Sequence, residues 1–144
     1  MLTEEIIQPS RHDGNLQDYE QARQNFDWKE IEKHFTWYET GKVNMAYEAI
    51  DRHAASDRAN KIALIYSDDT REERYTFSEL SKKSNQAGNV LRKLGIQKGD
   101  RVFIFMPRTP ELYISLLGVL KIGAIAGPLF EAFMETAVDR KSVV

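Results

Sequence analysis

The chain has 144 residues, 42% of them hydrophobic and 29% charged, which suits one ordinary domain or pieces of two and is too short for a large multi-step enzyme. Twenty Lys and Arg stand against 22 Asp and Glu, a formal net charge of -2, so no excess of positive charge is available for a phosphate backbone and nucleic acid is not an expected partner. There is no cysteine, which excludes disulfides, thiolate catalysis and Cys-ligated zinc.

The first stretch, MLTEEIIQPSRHDGN, carries early acids and no apolar h-region. It does not read as a signal peptide, and a cytoplasmic location is the expectation. Residues 1–17 are polar and aperiodic and read as disordered. From Asp18 to about Ser56 the pattern is helical, with start signals at Asp27, three residues before Glu30, and at Asn44, just before MAYEAIDRH. Met45, Ala46, Ile50 and His53 are spaced to share a buried face. The aromatics of FDW (Phe26 to Trp28) and FTWY (Phe35 to Tyr38) read as packing anchors in a segment with few aliphatics.

KIALIYS (Lys61 to Ser67) predicts a strand, SDDTREE a turn and RYTF the return strand of a hairpin. In TFSE, the Thr76 hydroxyl and the Glu79 carboxylate are placed to satisfy each other's free backbone N–H groups, opening a helix. Phe77, Leu80, Ala87, Leu91 and Leu94 fall on its inner face, and Lys82, Lys83, Asn85 and Arg92 outside. Gly95 ends this helix, and QKGD turns the chain into RVFIFM (Arg101 to Met106), a strand.

The most apolar stretch, Phe105 to Phe130, invites a membrane reading. Thr109, Pro110 and Glu111 form a helix start and Gly123 a stop, so the helix runs from Pro110 to about Ile122. At ~1.5 Å per residue it is about 20 Å long, short of the ~30 Å hydrocarbon core. A buried core is the better reading. AIAGPL (Ala124 to Leu129) supplies a second strand, and strand, helix, strand in succession predict a βαβ crossover in a parallel sheet. The expected fold class is α/β: a helical N-terminal segment, then the first βαβ units of a layered, mainly parallel sheet that is incomplete.

Chemistry-bearing motifs are sparse. His12, His34 and His53 are far apart, and no HExxH, G-x-S-x-G, G-x-G-x-x-G or G-x-x-x-x-G-K-[ST] occurs. His53 reads as a core or capping histidine. Gly118, Gly123 and Gly127 read as close helix–sheet packing and a helix stop, ahead of phosphate contact. In open parallel sheets ligands bind beyond the carboxyl ends of strands, and here that place is GPLFEAF.

Four ordered stretches, NMAYEAIDRH (Asn44 to His53), YTFSEL (Tyr75 to Leu80), KGDRVFIFMPRTPEL (Lys98 to Leu112) and LKIGAIAGPLFEAF (Leu120 to Phe133), resemble the acetyl-coenzyme A synthetases within the adenylate-forming acyl-CoA ligase superfamily. The resemblance runs from about Asp18 to Arg140. It implies a two-step reaction in which a carboxylate and ATP give an acyl-adenylate and pyrophosphate, and coenzyme A then displaces AMP. It implies acetate, ATP and coenzyme A as substrates, with Mg²⁺, and neither nucleic acid nor a membrane as partner. It also implies three regions: 1–17, disordered; 18–72, the N-terminal region of the acetate branch; and 73–144, the start of the AMP-binding domain.

By the same resemblance, FEAF stands where acetate-activating members contact the nucleotide part of coenzyme A, which nominates Phe130, Glu131 and Ala132. Glu131 occupies a position that is usually glycine in the family. Arg140 is the nearest match to a basic residue that binds coenzyme A phosphates there, with a solvated surface charge as the alternative reading. The family's phosphate loop, nucleotide pocket and catalytic lysine have no counterpart in this sequence. After AVDR the pattern departs from the family, and KSVV reads as a truncation. No catalytic residue and no metal ligand is therefore expected in the chain itself. Two readings stay open: part of a ligase, inactive alone, or a non-catalytic interaction module or truncated product.

Overall fold

The structure, a computed structural model, describes residues 16, 18–129 and 132. The chain divides into two compact units, residues 1–40 and 41–144.

The first unit contains three short helices, α1 (Tyr19–Gln24), α2 (Trp28–Glu32) and α3 (Trp37–Thr40). Asp18 and Asp27 cap α1 and α2, each carboxylate accepting a backbone N–H at 2.9 Å. None of these helices buries a residue. The expected aromatic anchors meet one another: Phe26 and Trp28 edge to face at 5.0 Å, Phe35 and Trp37 stacked at 4.1 Å.

The second unit begins with a helix over 45–54. Its centre, Tyr47–Asp51, is a π turn closed by the Arg52 N–H on the Tyr47 carbonyl, and its last turn is α4 (Arg52–Ala54). The extra residue of a π turn rephases the helix. Ala46 and Ile50 are buried as expected, but so is Glu48, and Met45 is 62% exposed instead of sharing their face. A hairpin follows, β1 (Ile62–Ser67) and β2 (Glu72–Thr76), antiparallel and forming a two-stranded sheet of its own. Asp68 builds its turn: one carboxylate oxygen accepts the Thr70 N–H and hydroxyl and the Arg71 N–H at 2.7 to 2.9 Å. These bonds, with one from the Tyr66 hydroxyl, hold the Asp68 carboxyl well below the usual range. On the return strand the Tyr75 hydroxyl donates to Glu73, and its pKa is pushed up to about 12 by that bond and by burial.

The long helix α5 (Phe77–Lys93) opens with the expected capping box between Thr76 and Glu79. Its inner face is shifted from the aliphatic stripe. Leu80, Ser84 and Gly88 are buried, whereas Leu94, assigned to that face by its spacing, is 73% exposed. The cause lies in α6 (Pro110–Lys121), which crosses α5 at its smallest residues. A Cβ on Gly118 would stand 2.8 Å from the Ala87 Cβ, 3.0 Å from the Gly88 nitrogen and 3.1 Å from the Ser84 carbonyl oxygen. The sequence assigned Gly118 to helix–sheet packing; it serves helix–helix packing instead.

Helix α6 joins β3 (Arg101–Phe105) to β4 (Ile125–Leu129), which pair in parallel, the predicted βαβ unit. Gly123 stops the helix at φ +76°, and Gly127 leaves room for the Phe103 ring, which would lie 2.8 Å from a Cβ there. The core packs Ile104, Val119 and Ala124 against Leu91, Leu116 and Met106. Among the described residues no helix is long and apolar enough to cross a membrane.

Two expectations follow. Gly118→Ala gains helix propensity of up to about 1 kcal/mol, but the backbone atoms it meets cannot swing aside, and overpacking costs about 1–3 kcal/mol. Urea unfolding is expected to show a net loss of about 1 kcal/mol or more; an unchanged midpoint would mean that α5 and α6 part freely. His53 packs on the Phe77 ring at 5.0 Å, and its pKa is lowered by burial and by the nearby Arg52 and Arg58 charges. Because the folded form resists protonation, its stability contribution is whole above about pH 6.5 and declines as pH falls from there toward the folded pKa. His53→Gln is expected to flatten that slope in urea midpoints measured between about pH 5 and 7.

Candidate functional site

Parallel pairing brings the carboxyl ends of β3 and β4 to one edge, and the amino end of α6 lies at the same edge because the chain reaches it directly from β3. The loop 106–109 makes this turn, with the Thr109 N–H donating to the Pro107 carbonyl at 2.8 Å. Thr109 has the extended backbone of an N-cap and Pro110 fills the first turn, as the spacing predicts. Its hydroxyl makes no capping bond, however. The nearby Thr109 hydroxyl is the first cause, and the Glu111 backbone N–H the second, that hold the Glu111 carboxyl below its ordinary pKa. Arg108 is an exposed cation on the same loop.

Of the residues nominated for coenzyme A, Ala132 lies exposed in a turn three residues past the end of β4, on the carboxyl side of the sheet. Phe130, Glu131 and Arg140 lie outside the described residues. Among the described residues no three His, Asp or Glu side chains converge as metal ligands. The edge thus carries the start of α6 with an exposed cation, Arg108, and a carboxylate, Glu111, beside it.

At the opposite end of α6 is a polar node that sequence reasoning missed. Lys121 is only 9% exposed, and its ammonium donates to Asp51 Oδ1 at 2.6 Å, Asn85 Oδ1 at 2.8 Å and the Ser81 carbonyl at 3.1 Å. The Ser81 hydroxyl donates to the same Asp51 oxygen at 2.6 Å. A groove of about 300 Å³, lined by Asn44, Tyr47, Asn85, Asn89, Arg92 and Lys121 among others, runs beside it. The available signal was a single lysine closing an apolar helix, since a lysine is almost never fully buried without a partner. A third feature is an apolar groove of about 540 Å³ between α5 and β3, lined by Val90, Leu91, Phe103, Phe105 and Met106 among others.

Comparison with known proteins places these elements. The family of AMP-binding enzymes matches residues 50–140. The acetyl-coenzyme A synthetase of Bacillus subtilis (strain 168) is 67% identical over 127 residues, covering 88% of this chain and 22% of its own length. That of Pseudoalteromonas translucida is 41% identical over 104 residues, covering 71% of this chain and 16% of its own length. Among solved structures, the Brucella canis acyl-CoA synthetase superposes with a TM-score of 0.74 at 35% identity, over 85% of this chain and 22% of that one. A fatty acid AMP ligase from Legionella pneumophila, 23% identical with a TM-score of 0.62 over 72% of this chain and 18% of that one, shares the fold. The chain thus spans about a fifth of the length of these relatives, and with its βαβ unit and capped helices inside the matched region it belongs to the AMP-binding enzyme family.

Proposed function

We propose that the chain is the amino-terminal part of an acetate–CoA ligase. In the first step acetate attacks the α-phosphate of ATP, forming acetyl-AMP and releasing pyrophosphate. In the second the thiol of coenzyme A takes the acetyl group and AMP leaves. The observation that carries this reading is the 67% identity to an acetyl-coenzyme A synthetase over most of the chain.

Two anions must meet in the first step, so positive charge has to offset them in the transition state. In the proposal that charge comes from Mg²⁺, a phosphate-cradling loop and a lysine held by other parts of the ligase. The described residues hold no cluster of His, Asp or Glu fit for the ion. This chain's share is the scaffold and the carboxyl edge of β3 and β4. Residues 18–72 form the acetate-branch N-terminal region and 73–144 open the AMP-binding domain; the enzyme works in the cytoplasm. Phe130, Glu131, Ala132 and Arg140 contact the nucleotide part of coenzyme A.

The physical support is surface left uncovered. Phe103, Phe105, Ile125, Val90 and Leu94 are exposed, and among the described residues β3 pairs only with β4. A contiguous apolar face of this kind marks an interface, here with the rest of the ligase.

The test is acetate-dependent ATP–pyrophosphate exchange by the 144-residue chain, beside a chain extended to the length of its relatives. Exchange is expected in the extended chain alone; exchange by the short chain would overturn the division of labour. In the extended enzyme, Glu131→Gly removes a negative charge that would oppose a phosphate in the proposed coenzyme A site, worth about 1 kcal/mol at a solvated contact. The KM for coenzyme A is expected to fall roughly fivefold with exchange unchanged, and an unaltered KM would remove Glu131 from the site.

A further inference from the structure

We infer that Asn44, Asp51 and Lys121 form a clamp through which the 45–54 helix holds the C-terminal end of α6, so that the two segments open and close together. Asn44 works in both directions. Its Oδ1 accepts the Ala46 and Tyr47 N–H groups at 3.1 and 3.2 Å, capping its own helix. Its Nδ2 donates to the Leu120 and Lys121 carbonyls at 3.3 and 3.4 Å, among the last four of α6, which have no partner further along the helix. One side chain thus caps the start of one helix and the end of another, 76 residues away in sequence.

Lys121 closes the second half of the clamp. Its three ammonium hydrogens have three acceptors, two of them on α5 and one, Asp51, at the end of the π turn. The π turn carries the rephasing that aims Asp51 at Lys121. Asp51 is 22% exposed and its Oδ1 also receives the Ser81 hydroxyl, so the contact is shielded and charge-assisted. Directly past the clamp, the Gly123 N–H donates to the Leu120 carbonyl and the Ala124 N–H to that of Val119. The turn into β4 therefore hangs on the same carbonyl row that Asn44 holds. These three are positioning residues.

Hydrogen exchange on the whole chain, without ligand, tests the clamp through Asn44→Asp and Asn44→Ser. Both variants keep a good N-cap acceptor and lose the amide donor. An Asn44 that only caps its own helix predicts no change in either. The clamp predicts amide exchange about tenfold faster, the equivalent of one lost net hydrogen bond, in both 45–54 and 119–125. Acceleration confined to 45–54, or none, would overturn it. Lys121→Met is the independent arm: it leaves Asn44 intact and is expected to speed exchange in the same two segments, and acceleration at 119–125 alone would equally overturn the coupling.

Discussion

The close crossing of α5 and α6 is the constraint from which the rest of the second unit follows. Two helix backbones approach this nearly only where side chains are absent or very small, and here Ser84, Gly88 and Gly118 meet. That approach lowers α6 onto β3 and β4, so that Val119 closes the core with Ile104 and Ala124. On α5, Leu80 and Leu91 face the core, while Val90 and the C-cap residue Leu94 are exposed.

The two ends of α6 have opposite characters, and each character has a sequence cause. At the amino end the Thr109 hydroxyl does not cap the helix, Pro110 brings no N–H, and the Leu112 N–H donates to the Thr109 carbonyl. At the other end the Lys121 ammonium, Asp51 Oδ1 and the Asn44 amide are engaged within the protein. The far end of α6 is thus the more firmly held of the two. The polar node is therefore better understood as a foundation than as a second site.

Much of this was legible in the residues. Capping signals work through local chemistry, and Asp27, Asn44 and the Thr76–Glu79 pair all cap as their spacing implies. The hairpin was legible because Asp68 carries its own turn chemistry, and the βαβ unit because its strands are short apolar runs beside a helix with clear punctuation. What was not legible depends on tertiary geometry. The π turn that turns Met45 outward and Glu48 inward has no periodic signature, and the shift of the α5 face requires knowing that α6 crosses at Gly88. Side-chain spacing describes an isolated helix, and neither helix is isolated.

The same distinction accounts for the candidate site. Phe130, Glu131, Ala132 and Arg140 came from resemblance to a family, since a coenzyme A contact made by a loop has no period and no fixed spacing to detect. Lys121 shows the reverse case. Within the apolar LGVLKIGAIA it looks like an interruption, and its meaning appears only when Asp51, 70 residues earlier, arrives at 2.6 Å. A charge retained inside an apolar run costs several kcal/mol of desolvation unless it is paired. Its partner comes from the 45–54 helix, which ties that helix to α6 within the second unit.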